Sequence, residues 1–517
     1  MISRLDDLLG RVTMYRLVTL CLAALVALSF GYACTGVLDG AVFRPGAMAG
    51  SLVVLLAASV ASSRALGLTL RTRPHTESAV ITALLLWFLY WPQSSARMLA
   101  WLALAAALAN ASKYVLAIRR RHVFNPAAAG AVLTTIAAQL AGVPVSDRLL
   151  TTWWAASEPL LPFVIVAALL VLRRTRRIGL GVTFVLVAGA LIVIGLASTG
   201  TGAGAAAKLA AVSYPLVFLG GFMLSEPLTL PPRRWQQLVI AVVAGFVVAW
   251  PVFSLSFLST PPHMWIFDST AELALLAANL IAFGFGQRGG IRLELVHKRE
   301  LPGGVWEFVF EPLRPVRFAP GQYVELHLPH AHADRRGVRR VFSIASAPSD
   351  SHVCIALRVP EPASSYKQAM LALEPGTVVS ATGVGGDFLL PTDPTTPVVL
   401  VAGGIGITPF LSHLRHGPRD AVLVYGVSDG DAVAFREELI ATDVPVVLVS
   451  PTAPAELPEG WSHVAAPFIR PEDLPTTVPG LRERVAYVSG PPSMVHAVRR
   501  GLAPHVARTR TDYFSGY

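Results

Sequence analysis

Apolar residues are unevenly spread along the 517-residue chain: long uncharged runs fill the first half, and short apolar stretches broken by charged and proline-bearing turns fill the second. A membrane-crossing helix needs roughly 20 apolar residues. About ten such runs can be cut, near 17–37, 47–66, 78–96, 98–117, 127–143, 158–172, 178–197, 208–225, 236–257 and 268–286, the third and fourth forming a tight hairpin around Trp91 and Pro92. The pattern changes between Gly286 and Gly290, which bounds a first domain at 1–289.

Beyond that boundary the period shortens. Val305 to Phe310 and Pro320 to Leu326 read as strands between glycine and proline turns, which predicts a small antiparallel barrel over 290–393. From Pro397 strands alternate with helices, as in Ala421 to Val427 followed by Ala432 to Leu439, which predicts a parallel α/β domain over 394–517. The expected fold is therefore multi-domain: an α-helical polytopic membrane bundle, then an antiparallel β-barrel, then an α/β parallel-sheet nucleotide-binding domain.

Composition agrees with a membrane half. Charged residues make up 14% and hydrophobic ones 53%, with mean hydropathy +0.56, too apolar for a soluble chain of this size. The net charge of +10 does not point to nucleic acid, because the arginines sit in short clusters between apolar runs. Arg4, Arg11 and Arg16 precede the first run; Arg64, Arg71 and Arg73 follow the second; Arg119, Arg120 and Arg121 follow the fourth. Arg173, Arg174, Arg176 and Arg177 follow the sixth, and Arg233 and Arg234 the eighth, whereas alternate loops hold single charges such as Arg44, Arg97, Arg148 and Lys208. With ten spans every basic loop falls on one side, so both termini are expected in the cytoplasm of a multi-pass inner-membrane protein. A cleaved secretory signal at the first run would leave an odd number of spans and strand the nucleotide domain outside. Only four lysines, Lys113, Lys208, Lys298 and Lys367, stand against the many arginines, a composition that fits a GC-rich bacterial genome.

Cys21, Cys34 and Cys354 are widely spaced and cannot supply the four thiolates of an iron–sulfur cluster. The histidines between residues 15 and 286 are His75, His122 and His263, all in or beside expected loops, so no haem is expected at membrane depth and no metal site is assigned. No acidic residue is placed deep in an apolar run, which argues against an ion pump.

Three motifs in the first half carry more. His122-Val123-Phe124-Asn125-Pro126 leads into Ala127 to Gly130, an Asn-Pro helix start followed by small residues that allow close helix contact. Phe222-Met223-Leu224-Ser225-Glu226-Pro227 closes the eighth run, and Thr76-Glu77-Ser78 opens the third. With these motifs the first half resembles the membrane subunits of the Rnf complex and of the sodium-pumping NADH:quinone oxidoreductase, over most of 60–290. The resemblance implies flavin within the membrane. The relatives attach one to the threonine of an S-G-A-T motif, but Ser198-Thr199-Gly200-Thr201-Gly202-Ala203 has those residue types in the wrong order, leaving a noncovalent FMN or riboflavin beside Asn125 and Glu226.

The second half holds the sharper signals. Val399-Leu400-Val401-Ala402 runs straight into Gly403-Gly404-Ile405-Gly406-Ile407-Thr408-Pro409. A strand ending in a glycine turn lets the backbone approach a pyrophosphate, and the helix opening at Thr408 or Pro409 aims its amides at that charge. Read with Arg340-Val341-Phe342-Ser343 upstream and Ser489-Gly490-Pro491-Pro492 downstream, the segment 291–517 resembles the ferredoxin–NADP reductase superfamily. That resemblance implies that Arg340 pairs with the FAD pyrophosphate, Phe342 stacks on the flavin where tyrosine is usual, and Ser343 lies near its reactive nitrogen. It further implies a second phosphate contact from Ser364, Ser365 and Tyr366, and an interdomain turn at Gly383, Gly385, Gly386 and Phe388. Gly403, Gly404, Gly406, Thr408 and Pro409 would hold the nicotinamide nucleotide, with Ser489, Gly490, Pro491 and Pro492 at the hydride-transfer site. Tyr513, Phe514 and Tyr517 would cover the flavin, Tyr517 last.

After Tyr425-Gly426 the chain continues Ser428-Asp429-Gly430-Asp431, whose carboxylates repel a 2′-phosphate and favour NADH over NADPH. The expected function is a membrane-bound flavoprotein oxidoreductase carrying electrons from cytoplasmic NAD(P)H through FAD to a cofactor or acceptor in the membrane domain, a quinone or an extracytoplasmic acceptor. The alternatives are a redox-driven ion-translocating or transporter subunit and a membrane-anchored reductase of the flavin or ferredoxin type.

Overall fold

The computed structural model describes every residue except 1–13, 71–75, 119–120, 232, 258–269, 288–289, 332, 335–337, 382 and 514–517. It divides into two compact units, one over Val12–Arg288 and one over Gly289–Tyr517. Expectations placed on Arg4, Arg11, Arg71, Arg73, Arg119, Arg120, His75, His263, Phe514 and Tyr517 lie outside the described residues.

The first unit is helical. Its elements are α1 (Met14–Cys34), α2 (Pro45–Thr69), α3 (Thr76–Leu89), α4 (Ala96–Val115), α5 (Pro126–Leu140), α6 (Leu161–Arg174), α7 (Ile178–Ser198), α8 (Ala203–Val212), α9 (Leu216–Phe218, continued as a π turn over Leu219–Met223), α10 (Arg234–Phe253) and α11 (Thr270–Ala282). Helices thus stand at each expected run, but length separates them. Among the described residues five are long and apolar enough to cross a membrane, α1, α2, α4, α7 and α10; α8 and α9 form a sixth only as a pair bent by 48°. Thr76–Leu89 and Pro126–Leu140 are shorter apolar helices, so ten full spans exceed what their lengths show.

The exposed faces of these helices are apolar. Val53 on α2 is 64% exposed and Leu186 on α7 65%, a contiguous pattern that water would penalise and lipid would not. Inside, small residues set the spacing. A Cβ on Gly130 would lie 2.5 Å from Ala109 Cβ, and one on Gly195 2.3 Å from the Val252 carbonyl oxygen, so α5 meets α4 and α7 meets α10 nearly backbone to backbone.

The second unit opens with an antiparallel sheet of β1 (Ile291–Leu301), β2 (Val305–Pro312), β3 (Tyr323–His327), β4 (Arg339–Ser343), β5 (Val353–Arg358) and β6 (Val378–Ala381), in the order β4-β3-β6-β1-β2-β5. Its edge strands touch again at one bridge, Ile344 to Ile355. Where a barrel was expected, the structure shows this six-stranded antiparallel sheet around Leu293, Phe308, Phe310, Val324 and Ile355.

A parallel sheet follows: β7 (Val398–Gly403), β8 (Ala421–Gly426), β9 (Val446–Ser450), β10 (Trp461–Ala465), β11 (Val485–Gly490) and β12 (Thr509–Tyr513), ordered β10-β9-β8-β7-β11-β12. All six residues of β7 are buried, as a strand covered on both faces requires. The helix expected over Ala432 to Leu439 is shortened to Arg436–Ile440, because Phe435 takes a left-handed conformation just before it. The terminal aromatic segment is partly strand: Thr509–Tyr513 pairs with β11, Asp512 opposite Ser489 and Tyr513 opposite Gly490.

Candidate functional site

Strand order locates the nucleotide site. Connections from β7 run outward through β8, β9 and β10 on one side, while β11 and β12 lie on the other, so the order reverses between β7 and β11. Ligands of open α/β sheets bind at such a switch, beyond the carboxyl ends of the strands. Gly403 ends β7 and Gly490 ends β11, with Ser489 paired to Ala402 across the ladder. Two motifs far apart in sequence become neighbours here.

The glycines leave no room for side chains. A Cβ on Gly403 would sit 2.4 Å from Met494 Sδ, one on Gly406 2.3 Å from the Ser489 carbonyl oxygen, and one on Gly490 2.9 Å from Met494 Cε. Gly404 differs: its φ of +52° is the left-handed region, and open space lies where a side chain would be. Beside this turn runs a cleft with about 260 Å³ of room, lined among others by Gly403, Gly404, Ser428, Phe468, Pro491 and Met494. The helix Thr408–His416 follows, with Pro409 in its first turn; the Thr408 hydroxyl donates to the Ile405 carbonyl at 3.0 Å and so closes the turn. Pro491 caps the helix Pro492–Leu502. Ser489 is fully buried and its hydroxyl has no hydrogen-bond partner. A backbone cradle that only glycine fits, an open cleft and an orphaned donor together suit a nicotinamide dinucleotide.

The carboxylates behind the NADH expectation also have partners in the fold. Asp429 accepts the Thr452 hydroxyl at 2.6 Å, which holds its carboxyl below the usual range, and Asp431 accepts the Ala455 amide at 2.8 Å. Both pin the loop 429–431 to 452–455, and Ser428 alone of this group lines the cleft.

The residues expected to hold FAD lie on and beside β4. Arg340 and Phe342 alternate with Val341 and Ser343 along the strand, and Ser343 pairs with Tyr323. The Arg340 guanidinium lies 4.9 Å from the Tyr366 ring centre, and Phe342 packs against the same ring at 6.1 Å. Ser364 caps the helix Ser365–Leu371 by accepting the Lys367 amide. An arginine fork, a serine hydroxyl and two aromatic rings on one face are a donor set that fits the pyrophosphate and ring of FAD. Gly385 pairs with Tyr323, and a Cβ on Gly386, whose φ is +112°, would stand 3.0 Å from the Tyr323 ring, so this turn admits only glycine. Gly383 is half-buried in the same turn.

Phe388 ends this turn on the parallel-sheet domain. It is 7% exposed and packs on Phe410 and Tyr487 of the parallel-sheet domain, at 5.6 and 5.4 Å. Its carbonyl faces His413 Nε2 at 3.2 Å. It is a joint between the two domains. Asp334, which bonds Arg340 twice, and Met494, which fills the glycine notch, were not singled out from sequence; the only signal for Asp334 was one acid in the arginine-rich stretch before β4.

In the helical unit the structure brings Asn125 and Glu226 together. Asn125 Nδ2 donates to Glu226 Oε2 at 2.9 Å, His122 Nε2 lies 2.9 Å from Glu226 Oε1, and the Asn125 backbone N–H donates to Asn279 Oδ1 at 2.7 Å. The Asn125 side-chain oxygen caps α5 through the Ala127 and Ala128 amides. The adjoining cavity, lined by Tyr15, Ser78, Asn125, Phe222 and Glu226 among others, has about 50 Å³ of room. The polar atoms beside it already bond one another. The absence of a buried acid is also corrected: Glu272, in the first turn of α11, is 3% exposed and accepts Trp153 Nε1 at 2.9 Å. Its place at a helix start concealed it, because acids there usually cap in solvent.

Comparison with known proteins agrees with the second unit. Residues 400–500 match the family described as Oxidoreductase NAD-binding domain. The chain is 30% identical over 222 residues to the 2-halobenzoate 1,2-dioxygenase electron transfer component of Burkholderia cepacia, covering 40% of this chain and 61% of that one. It is 31% identical over 209 residues to the aromatic O-demethylase reductase subunit of an Amycolatopsis species, covering 37% and 59%. The chain thus spans about 60% of the length of these relatives. Among solved structures, the flavohem-like FAD/NAD binding domain of nitric oxide dioxygenase from Vibrio cholerae aligns with TM-score 0.37 at 19% identity, over 44% of this chain and 99% of that one. The C-terminal half therefore carries an NAD-binding oxidoreductase module of the kind found in NAD(P)H-linked flavin reductases.

Proposed function

We propose that this chain is a membrane-bound flavoprotein oxidoreductase that takes electrons from NAD(P)H through FAD and delivers them to an acceptor at the membrane. The observation that carries this reading is the meeting of the Gly403–Gly406 turn with Ser489 and Gly490 at the switch point of a sheet whose chain also holds five long apolar helices. When bound, FAD accepts a hydride from the nicotinamide and can release its electrons singly. The chain's residues position these partners. Gly403, Gly404 and Gly406 admit the pyrophosphate, Pro491 and Met494 flank it, and Ser489 offers its hydroxyl to the nicotinamide end. Arg340, Ser364 and Ser365 hold the FAD phosphates, with Phe342 against the ring. Gly383 and Gly386 keep the turn beneath it narrow.

NADH is the preferred donor in this reading, because among the cleft's lining residues the cation is Arg358, grouped with Pro302 and Gly303 of the first sheet, and none follows Ser428 directly. The arginine clusters support an inner-membrane chain with both termini in the cytoplasm and up to ten membrane segments. The likeness to the membrane proteins of the Rnf complex and of the sodium-pumping oxidoreductase rests on the ten-span layout, the Asn-Pro entry at 122–130, the run after Thr76-Glu77-Ser78 and the motif at 222–227. We route no electron through a flavin there.

Buried Glu272 favours a second reading, in which the redox step drives an ion through the helical unit. One experiment separates the readings. The detergent-purified chain is assayed for NADH and NADPH oxidation with a water-soluble dye and with a short-chain quinone, then reconstituted into vesicles with a pH- or sodium-sensitive probe inside. Dye and quinone reduction without ion movement supports the first reading; ion uptake tied to NADH supports the second. Absence of bound FAD and of NAD(P)H oxidation would overturn both.

A further inference from the structure

His330 and Asp334, between β3 and β4, lie on the residues assigned to the FAD phosphates. Both carboxylate oxygens of Asp334 accept from Arg340 Nη2, at 3.0 and 3.3 Å, while Arg340 Nη1 donates to the Arg339 carbonyl at 2.7 Å. The Asp334 backbone N–H donates to Ser365 Oγ at 3.0 Å. Ser365 Oγ also lies 3.1 Å from His330 Nε2, and His330 Nδ1 lies 2.9 Å from the Leu328 carbonyl. A carbonyl can only accept, so Nδ1 carries the proton and Nε2 takes the serine hydrogen. His330 and Asp334 thereby hold the arginine and the serine that the flavin would need. The His330 ring stands edge-on to Tyr366 at 5.9 Å, completing the cover over the aromatic pair.

A carboxylate and a phosphate are the same kind of partner for an arginine: acceptor oxygens carrying negative charge, in charge-assisted bonds. They cannot share it comfortably, because a pyrophosphate beside Asp334 would meet like charge in a pocket where the Arg340 side chain is only 9% exposed. We propose that Asp334 is a built-in competitor for the FAD pyrophosphate, holding Arg340 and Ser365 until the cofactor displaces it and so setting the chain's affinity for FAD. This rests on the FAD assignment above. Displacement exchanges one set of charge-assisted bonds for another, and the energy used to part Asp334 from Arg340 is subtracted from FAD binding.

The test uses the full chain in detergent, stripped of flavin and titrated with FAD while flavin fluorescence is followed. Asp334→Ala and Asp334→Asn should bind FAD at least about tenfold more tightly than the parent, the equivalent of one charge-assisted contact. They should also retain more FAD through gel filtration. In an Arg340→Ala background the same substitutions should change FAD affinity less than twofold, because the competition needs both partners. Hydrogen exchange at the Asp334 amide, protected by Ser365, should rise when FAD is added to the parent. If Asp334→Ala leaves FAD affinity unchanged or weakens it while the parent binds FAD, Asp334 instead orients the arginine and the proposal is overturned with the cofactor reading intact. If neither parent nor variants bind FAD, the cofactor reading falls too.

Discussion

Asn125 and Glu226 lie 101 residues apart in sequence and share a hydrogen bond of 2.9 Å, Nδ2 of the amide donating to Oε2 of the carboxylate. Each closes a separate motif, the Asn-Pro start of α5 and the Glu-Pro exit from α9. The bond ties a helix N-terminus to the end of a π turn, and His122 and Asn279 extend it on either side.

Breaking this pair should loosen the helical unit. Asn125→Ala removes an N-cap and a buried donor at once, and a cap alone contributes about 1–2 kcal/mol. Asn125→Asp keeps the cap but sets a second carboxylate against Glu226, so it should be no better than alanine unless paired with Glu226→Gln. Thermal melts of the detergent-solubilised variants would check this. Additive losses in Asn125→Ala and Glu226→Gln would show the two residues to be independent.

Arg340→Ala should strip the protein of flavin. The guanidinium is the charged contact of the flavin motif, and its loss should weaken FAD by about 1.5–3 kcal/mol. The ratio of flavin to protein absorbance after gel filtration reports this directly, and full retention would remove Arg340 from the site.

Much of this was legible in the sequence. The glycine turn, the strand feeding it and the partner turn at Gly490 were readable because each needs a residue type that sterics dictate. What sequence could not give is which polar groups satisfy one another. Asp429 and Asp431 read as guards against a 2′-phosphate; that Thr452 and Ala455, in the loop after the neighbouring strand β9, also bond them is visible only in the fold. The motif implies that Phe388 belongs to the turn between the domains, but only the fold names its partners, Phe410 and Tyr487. Glu272 sits where a surface cap is expected, and only the fold places the Trp153 indole over it.

The glycines of the nucleotide turn should separate by mechanism. Gly406→Ala places a methyl 2.3 Å from a backbone oxygen of Ser489, so strands β7 and β11 must part and the site should fail together with local stability. Gly404→Ala meets no neighbour and suffers only the left-handed backbone, about 1 kcal/mol. It should fold, and any loss should appear in KM for NADH. Equal thermal destabilisation of the two variants would contradict this geometry.

Topology follows from the arginine clusters. A reporter fused after Tyr517 and one inserted near Gly40, in the turn between α1 and α2, should report opposite sides of the membrane. Both reporters on one side would remove the assignment of cytoplasmic termini.

His413 should make the reductase unit acid-sensitive. Burial pushes its imidazole down to about 4, against only partial relief from the Phe388 carbonyl, with Arg419 and His416 adding repulsion. Its ordinary value is about 6.5. Above that pH neither folded nor unfolded chain protonates it, and its contribution is fully present. Between about 6.5 and 4 the unfolded chain takes a proton that the folded one refuses, so stability falls by at most about 1.4 kcal/mol per pH unit and about 3 kcal/mol in all. Below about 4 both forms are protonated and the loss levels off. His413→Gln keeps an N–H for the Phe388 carbonyl but cannot titrate. The difference between the two melting curves, measured from pH 7.5 to 4, should therefore be flat above 6.5 and narrow steadily below it, as the parent loses stability that the variant keeps. A difference independent of pH would show that the imidazole takes up its proton equally in both states, and that the joint between the two sheets does not exclude charge.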